Sequence, residues 1–239
     1  MEIDIQGVSH TYGKVIALDD ISLTLKPGFN ILLGPNGAGK SSLFGLLTGL
    51  QRIGRGNILF NGSTITHNRA PIMKQLGVVF QQSTLDIDLT VKQNLAYFAS
   101  LHGLAPDKSI LRISDLLNEL DLSDRLNTKI RHLNGGHRRR VELARCLIHQ
   151  PSTLLLDEPT VGLDIVSRQL IHSVVHDLAV KQGVTVLWAT HLFEEVSLTD
   201  PLAILLNGRL VERDICSALL AKHQALDIHQ LWEVLTRAA

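Results

Sequence analysis

Residues 34–42 read GPNGAGKSS, and Gly34, Gly39, Lys40 and Ser41 stand at the spacing of a loop that cradles phosphate. The chemistry asks for these residue types. Glycines let the backbone of Gly34, Pro35, Asn36, Gly37, Ala38 and Gly39 curl so that several N–H groups face phosphate oxygens. A helix starting at Lys40 would add the positive end of its dipole. Lys40 would reach the β- and γ-phosphates, the Ser41 hydroxyl would ligate Mg²⁺, and Ser42 belongs to the same nucleotide-binding stretch. Further on, LLLDEPT (154–160) sets Asp157 and Glu158 at the end of an apolar run. Carboxylates are costly to bury unpaired, and a metal-bound triphosphate gives them a reason to be there. Asp157 would hold Mg²⁺ through water, and Glu158 would orient and deprotonate the attacking water. WATH (188–191) ends another apolar run and offers His191 to the γ-phosphate.

LNGGH (133–137) is less specific. Asn-Gly and Gly-Gly are strong turn pairs, because both tolerate positive φ. The stretch also opens a basic, apolar-periodic segment, GHRRRVELARCLIHQ. By itself it reads as a turn, with only a modest claim to being one half of a nucleotide site.

These residues need elements to position them. FNILLG (29–34), GNILFNG (56–62), QLGVVFQQ (75–82), TLLLD (153–157), VTVLWAT (184–190) and LAILLNG (202–208) read as strands. Several are continuous apolar runs, as parallel strands covered on both faces require. Helical stretches lie between them, from about 40 to 49 and over 164–182, which is α/β layering. Residues from about 83 to 150 break the alternation. LTVKQNLAYFASLHG, SILRISDLLNEL and the segment after LNGGH predict three amphipathic helices. The tail carries Ile228, Leu231, Trp232 and Leu235 at helical spacing, a stripe suited to core packing.

The chain has 239 residues, is 45% hydrophobic and 19% charged, and carries a net charge of +0. That balance argues against a protein whose main task is to grip nucleic acid by its phosphates. Cys146 and Cys216 lie far apart without metal or redox spacing. His172 and His176 lack a third ligand nearby. The acidic, alternating N-terminus is no signal peptide. The apolar runs fall short of the ~20 residues that span a bilayer. The expectation is a soluble chain whose membrane role, if any, comes through a partner.

Together the motifs resemble the nucleotide-binding subunit of an ATP-binding cassette (ABC) transporter, over essentially the whole chain. HTYGKVIALDDISLTL (10–25) is similar to the family's opening, which implies that Tyr12 stacks on adenine. GVVFQQ resembles the strand before the Q-loop, which implies that Gln81 senses Mg²⁺ and couples to the membrane partner. LLLDEP resembles the Walker B strand, TVGLD the D-loop with Asp164, and WATH the switch histidine. LNGGH falls where the family has L-S-G-G-Q. The resemblance therefore implies that Asn134, Gly135, Gly136 and His137 bind the γ-phosphate of ATP held by an opposing subunit.

The fold implied is α/β, a P-loop NTPase core with an N-terminal antiparallel β-subdomain and an inserted α-helical subdomain. One domain spans 1–239: a nucleotide-binding core in 1–82 and 151–214, a helical subdomain in 83–150, and C-terminal helices in 215–239. The cofactors implied are ATP and Mg²⁺. The partners implied are membrane-spanning subunits and a second cassette, in a homodimer or a pair, closing around two ATP molecules. The place implied is the cytoplasmic face of the inner membrane. VFQQSTLDIDLTVKQNL is similar to the drug and polysaccharide exporter class. The alternatives are a cytosolic ABC ATPase acting on nucleic acid or ribosomes, and a regulatory ATP-binding module.

Two positions depart from the family pattern. Asn134 replaces Ser and caps a helix about as well. His137 replaces Gln: phosphate nearby would favour its charged form and make turnover sensitive to pH near neutrality, or the ring merely packs at the helix start. Arg138, Arg139 and Arg140 read as a solvated, anion-facing helix start.

Overall fold

Alternation in the first strands explains how the chain starts. In β1 (Ile3–Tyr12) Ile3, Ile5 and Val8 are buried, and in β2 (Val15–Leu25) Leu18, Ile21, Leu23 and Leu25 are buried. The two pair antiparallel across a two-residue turn at Gly13 and Lys14. After β3 (Gly28–Leu33) and α1 (Lys40–Leu47), β4 (Arg55–Phe60) returns to pair with β1, and β5 (Ser63–Thr64) adds a short edge. The result is a four-stranded antiparallel sheet. The computed structural model describes residues 1–238.

The second sheet carries the chemistry. Past α2 (Arg69–Met73), β6 (Leu76–Val79) forms one edge. The chain then runs through α3 (Val91–Leu101), α4 (Pro106–Arg112), α5 (Ser114–Glu119) and α6 (Gly135–Leu147). It returns as β7 (Thr153–Asp157), α7 (Ile165–Gln182), β8 (Thr185–Thr190), β9 (Pro201–Leu206) and β10 (Arg209–Ile215). Two helices, α8 (Cys216–Lys222) and α9 (Ile228–Ala238), close the described chain. The strand order is β10-β9-β3-β8-β7-β6, parallel except for β10.

Continuous apolar strands fit this sheet because both its faces are covered. Ile31, Leu33, Leu154, Leu156, Val186 and Trp188 point into one apolar layer with the helices between β6 and β7. Leu32, Leu155, Leu187 and Ala189 point into the other, against α1 and the antiparallel sheet. Successive side chains of one strand thus feed two cores. The β9–β10 turn is Asn207-Gly208, with φ 48 and 77, the conformation that favours Asn-Gly in a two-residue hairpin. Its Gly208 N–H donates to the Ala38 carbonyl at 3.0 Å, which ties the hairpin to the phosphate loop.

Two helical expectations change. The segment SILRISDLLNEL is not one helix: α4 ends at Arg112, and α5 starts at Ser114 past Ile113 (φ −100, ψ 18). The helix expected over 164–182 begins at Ile165, because Asp164 serves as its N-cap, its carboxylate accepting from the Ser167 N–H at 2.9 Å. In the tail, Leu231 and Leu235 are buried, and Trp232 packs on Phe193 at 5.5 Å.

Candidate active site

The phosphate loop hangs between the end of β3 and the start of α1. Gly34 N–H donates to the Thr190 carbonyl at 3.1 Å, so the loop leaves the sheet beside the end of β8. A Cβ on Gly34 would stand 2.6 Å from the Leu205 carbonyl oxygen. Gly39 has φ 108, and a Cβ there would meet the Ala17 oxygen at 2.6 Å. Only glycine fits that backbone and that approach. Gly34, Pro35 and Ala38 shape the loop from behind, with Ala38 N–H donating to the Pro35 carbonyl at 3.1 Å. Asn36, Gly37, Gly39, Lys40, Ser41 and Ser42 line a cleft of about 360 Å³. No side chain caps α1, so its first N–H groups face that cleft free to meet an anion.

Tyr12, Val15 and Ile16 form the cleft's other wall, each about half exposed or more. The Tyr12 ring meets His10 edge-on at 4.8 Å, and its hydroxyl accepts from Gln51 Nε2. An apolar rim with one ring held in place suits a flat base.

Lys40 is 5% exposed and curls back over its own loop. Its Nζ donates to the carbonyls of Gly34 at 2.7 Å and Pro35 at 3.1 Å, and pairs with Glu158 Oε1 at 3.0 Å. Glu158 stands just beyond β7, with φ 49, a region costly for a residue with a side chain, by ~1–3 kcal/mol. The turn is held by its N–H, which donates to the Ala189 carbonyl at 2.9 Å. Its side chain collects three partners. Oε1 takes Lys40 and also His191 Nδ1 at 3.1 Å, and Oε2 accepts from Gln81 Nε2 at 3.1 Å. Burial by itself would raise the Glu158 carboxyl; the hydrogen bonds from Lys40 and His191 outweigh it and hold the group below its ordinary value. The structure thus gathers Lys40, Gln81, Glu158 and His191 around one carboxylate.

Asp157 is different. It is 3% exposed, and its Oδ1 has no partner. Burial raises its carboxyl, while the neighbouring Ser41 hydroxyl only partly offsets that. A buried acid with an orphaned oxygen beside a hydroxyl is what a divalent cation would satisfy. Among the described residues no cluster of three His, Cys, Asp or Glu could hold a metal alone. Mg²⁺ fits this arrangement nonetheless, since it takes few protein ligands and completes its shell with water and phosphate.

The other predicted residues assemble elsewhere. None of Asn134, Gly135, Gly136, His137 or Asp164 lines the cleft. Asn134 caps α6, its Oδ1 accepting from the His137 N–H at 2.8 Å. A Cβ on Gly136 would stand 2.4 Å from Ser167 Oγ and 3.6 Å from Asp164 Oδ2, so α6 and the start of α7 pack through that glycine. Asn134 and Gly135 are exposed.

One expectation here is narrowed and one is corrected. His137 is 9% exposed, its Nδ1 is 2.7 Å from Asn134 Oδ1 and its Nε2 is 3.3 Å from Asp121 Oδ2. Burial, then Arg140, lowers its pKa against the pull of Asp121, so in the subunit by itself the neutral ring is favoured. Two of the three arginines are not solvated: Arg139 and Arg140 are 9% and 8% exposed, while Arg138 is half-buried. Arg140 Nη1 donates to the Leu120 carbonyl and to Asp121, both at 3.2 Å. Arg139 donates to the carbonyls of Phe80 at 2.7 Å and Gln81 at 3.0 Å and pairs with Glu142 at 2.8 Å. The sequence reading did not foresee that Arg139 and Glu142 hold the segment that carries Gln81; their i, i+3 spacing with opposite charges was the available signal.

A glycine loop at a helix start, a strand-end acid pair and a parallel sheet between two apolar layers define a P-loop nucleotide hydrolase of the cassette type. The comparisons make that particular. A family model described as "ABC transporter" matches residues 18–161. A linearmycin resistance ATP-binding protein of Bacillus subtilis is 35% identical over 220 residues, 90% of this chain and 70% of that one. A Nod factor export ATP-binding protein I of Burkholderia thailandensis is 34% identical over 232 residues, 96% and 76% of the two chains. A solved structure described as the ATP-binding subunit of an ABC transporter superposes with TM-score 0.88 at 24% identity, covering 99% of this chain and 100% of that one. The cbiO1 structure from Clostridium perfringens, part of the complex cbiONQ, superposes with TM-score 0.80 at 27% identity over 92% and 90%. The chain belongs to the ABC transporter family, as an ATP-binding and ATP-hydrolysing subunit.

Proposed function

We propose that this subunit powers export by a transporter whose membrane-spanning subunits are separate chains, and that it works as a pair closing around two ATP molecules. The observation that carries the reading is the Glu158 carboxylate, held at once by Lys40, Gln81 and His191. In this arrangement Lys40 neutralises Glu158. The γ-phosphate of ATP competes for Lys40 and releases Glu158 to take a proton from water, with His191 holding the oxygen it already touches. Tyr12 stacks on the adenine. Ser41, Gln81 and, through water, Asp157 would hold Mg²⁺, which would supply positive charge against the phosphates. Asn134, Gly135, Gly136 and His137, together with Asp164, form the face that meets the partner's ATP, with residues 83–150 moving as a helical subdomain against the core.

Export is supported by two relatives, one described as an export protein and one as a resistance protein. No helix among the described residues is long and apolar enough to cross a membrane. The place proposed, through the membrane-spanning partner that the family assignment brings, is the cytoplasmic face of the inner membrane. Nucleic acid is not expected as a partner, given the net charge of +0.

The test is single-turnover hydrolysis with Glu158→Gln. The variant keeps the shape and loses the base, so turnover should drop ~10²–10⁴-fold with ATP affinity nearly unchanged. Turnover equal to the native chain's would remove Glu158 from the reaction.

A further inference from the structure

We propose that Arg139, Glu142 and Arg145 are positioning residues that link the signature face of this chain to its own hydrolytic carboxylate. They stand at i, i+3 and i+6 on α6, so they share one side of the helix. All three hold the same short segment, residues 80–84. Arg139 Nη1 and Nη2 donate to the carbonyls of Phe80 and Gln81 at 2.7 and 3.0 Å. Glu142 Oε1 accepts from the Thr84 N–H at 3.1 Å, and its Oε2 accepts from Arg139 at 2.8 Å. Arg145 Nη1 donates to the Thr84 carbonyl at 2.8 Å and lies over the Phe98 ring at 5.3 Å. Gln81 to Thr84 are exposed, and no strand spans them.

The segment is thus fastened to the helix that the signature loop begins. At one end of α6 stands the Asn134 cap; at the other end of the path Gln81 Nε2 donates to Glu158 Oε2. A buried Arg–Glu pair adds little net stability over an apolar pair of the same shape. What it does supply is a fixed distance, because the planar fork of Arg139 holds two successive carbonyls together. A phosphate drawing on the exposed Asn134–Gly135 end moves α6, and α6 carries Gln81 toward or away from Glu158. The ATP held across the pair would in this way set the readiness of the carboxylate on this side.

The inference rests on the proposed roles of Glu158 and Gln81. The experiment uses the full-length chain with Arg139→Lys, which keeps charge and loses the fork, and Arg139→Met with Glu142→Leu, which keeps packing and loses both. Each is made with and without Gln81→Ala. Expected is a fall in kcat of about ten-fold with KM for ATP within two-fold, and less than two-fold further loss in the Gln81→Ala background. Losses that multiply in that background, or a Met/Leu pair with native kcat, overturn the link. Hydrogen exchange gives a second readout that needs no turnover. Mg-ATP should change protection at 80–84 and 134–139 together in the native chain, and only at one of them in the Met/Leu pair. No joint change in the native chain also overturns it. Failure of the underlying reading shows differently, as native turnover in Glu158→Gln.

Discussion

At the carboxyl edge of the parallel sheet, Lys40, Gln81, Glu158 and His191 satisfy one another within one chain. At the start of α6, Asn134 and Gly135 are exposed and line no part of the cleft, although the proposed function gives them a part in the same chemistry. The first region is buried and charged, and every charge in it has a partner except on Asp157. The second is held from behind, by a cap at Asn134 and by Gly136 pressed on Ser167, and it turns its front to solvent. A preorganised charge cluster needs only a ligand. A braced, open helix start needs a second molecule to bring the ligand. The difference teaches that, under the proposed pairing, the two half-sites of this chain are unlike: one is assembled within the chain, and the other is braced but open.

Lys40→Ala should break the comparison most severely. It removes the phosphate contact and leaves Glu158 without its closest cation, so ATP affinity measured by nucleotide titration should fall roughly 100-fold. Gly135→Ala should leave that affinity untouched in the isolated subunit. Equal losses in the two variants would mean that the regions are one site within one chain.

The two signature glycines sharpen the same contrast. A Cβ at Gly136 has no room beside Ser167, while nothing lies within 4 Å of one at Gly135. Thermal unfolding should show Gly136→Ala less stable by ~1–3 kcal/mol and Gly135→Ala close to native. A native melting curve for Gly136→Ala would mean that α6 and α7 are not braced there. Asn134→Ala comes next, losing one helix cap at a cost of about 1 kcal/mol, read in the same melt.

Much of the first region was legible in the sequence because its chemistry is local. Gly34 to Ser42 are contiguous, and Asp157 and His191 end apolar runs that could only be inner strands. The bracing of the second region was not legible. RRR shows charge, but the carbonyls of Phe80 and Gln81 that Arg139 satisfies lie 59 and 58 residues earlier, and only the fold brings them close. The burial of Arg140 likewise depends on Leu120 and Asp121. Strand β10 also escaped notice: RLVERDI lacks a buried stripe, because it is an edge that pairs only with β9. Ile113 breaks a helical pattern that contains neither Gly nor Pro at that point, so the pattern alone predicts no break.

The last expected effect concerns protons, and at His137 it is the smallest. His137 has a folded pKa below its ordinary value, through burial and then Arg140, so the unfolded chain binds that proton more readily. Stability from this group is therefore full above its unfolded pKa of about 6.5 and is lost as pH falls below it. His149 acts in the same direction and more strongly, pushed down to about 4 by burial and then by His102. Denaturant titrations between pH 7 and 5 should show stability falling with acid in the native chain. The fall should be flattened clearly by His149→Gln, whose amide can still donate to the Leu76 carbonyl, and only slightly by His137→Gln. Turnover should tell the two regions apart once more. With His137 neutral and facing Asp121, its replacement by Gln should leave the shape of the pH–rate profile between 6.5 and 8 unchanged. A profile that shifts with His137→Gln would mean that the ring gains its proton when a partner's phosphate arrives, and that the open half-site is electrically active as well as braced.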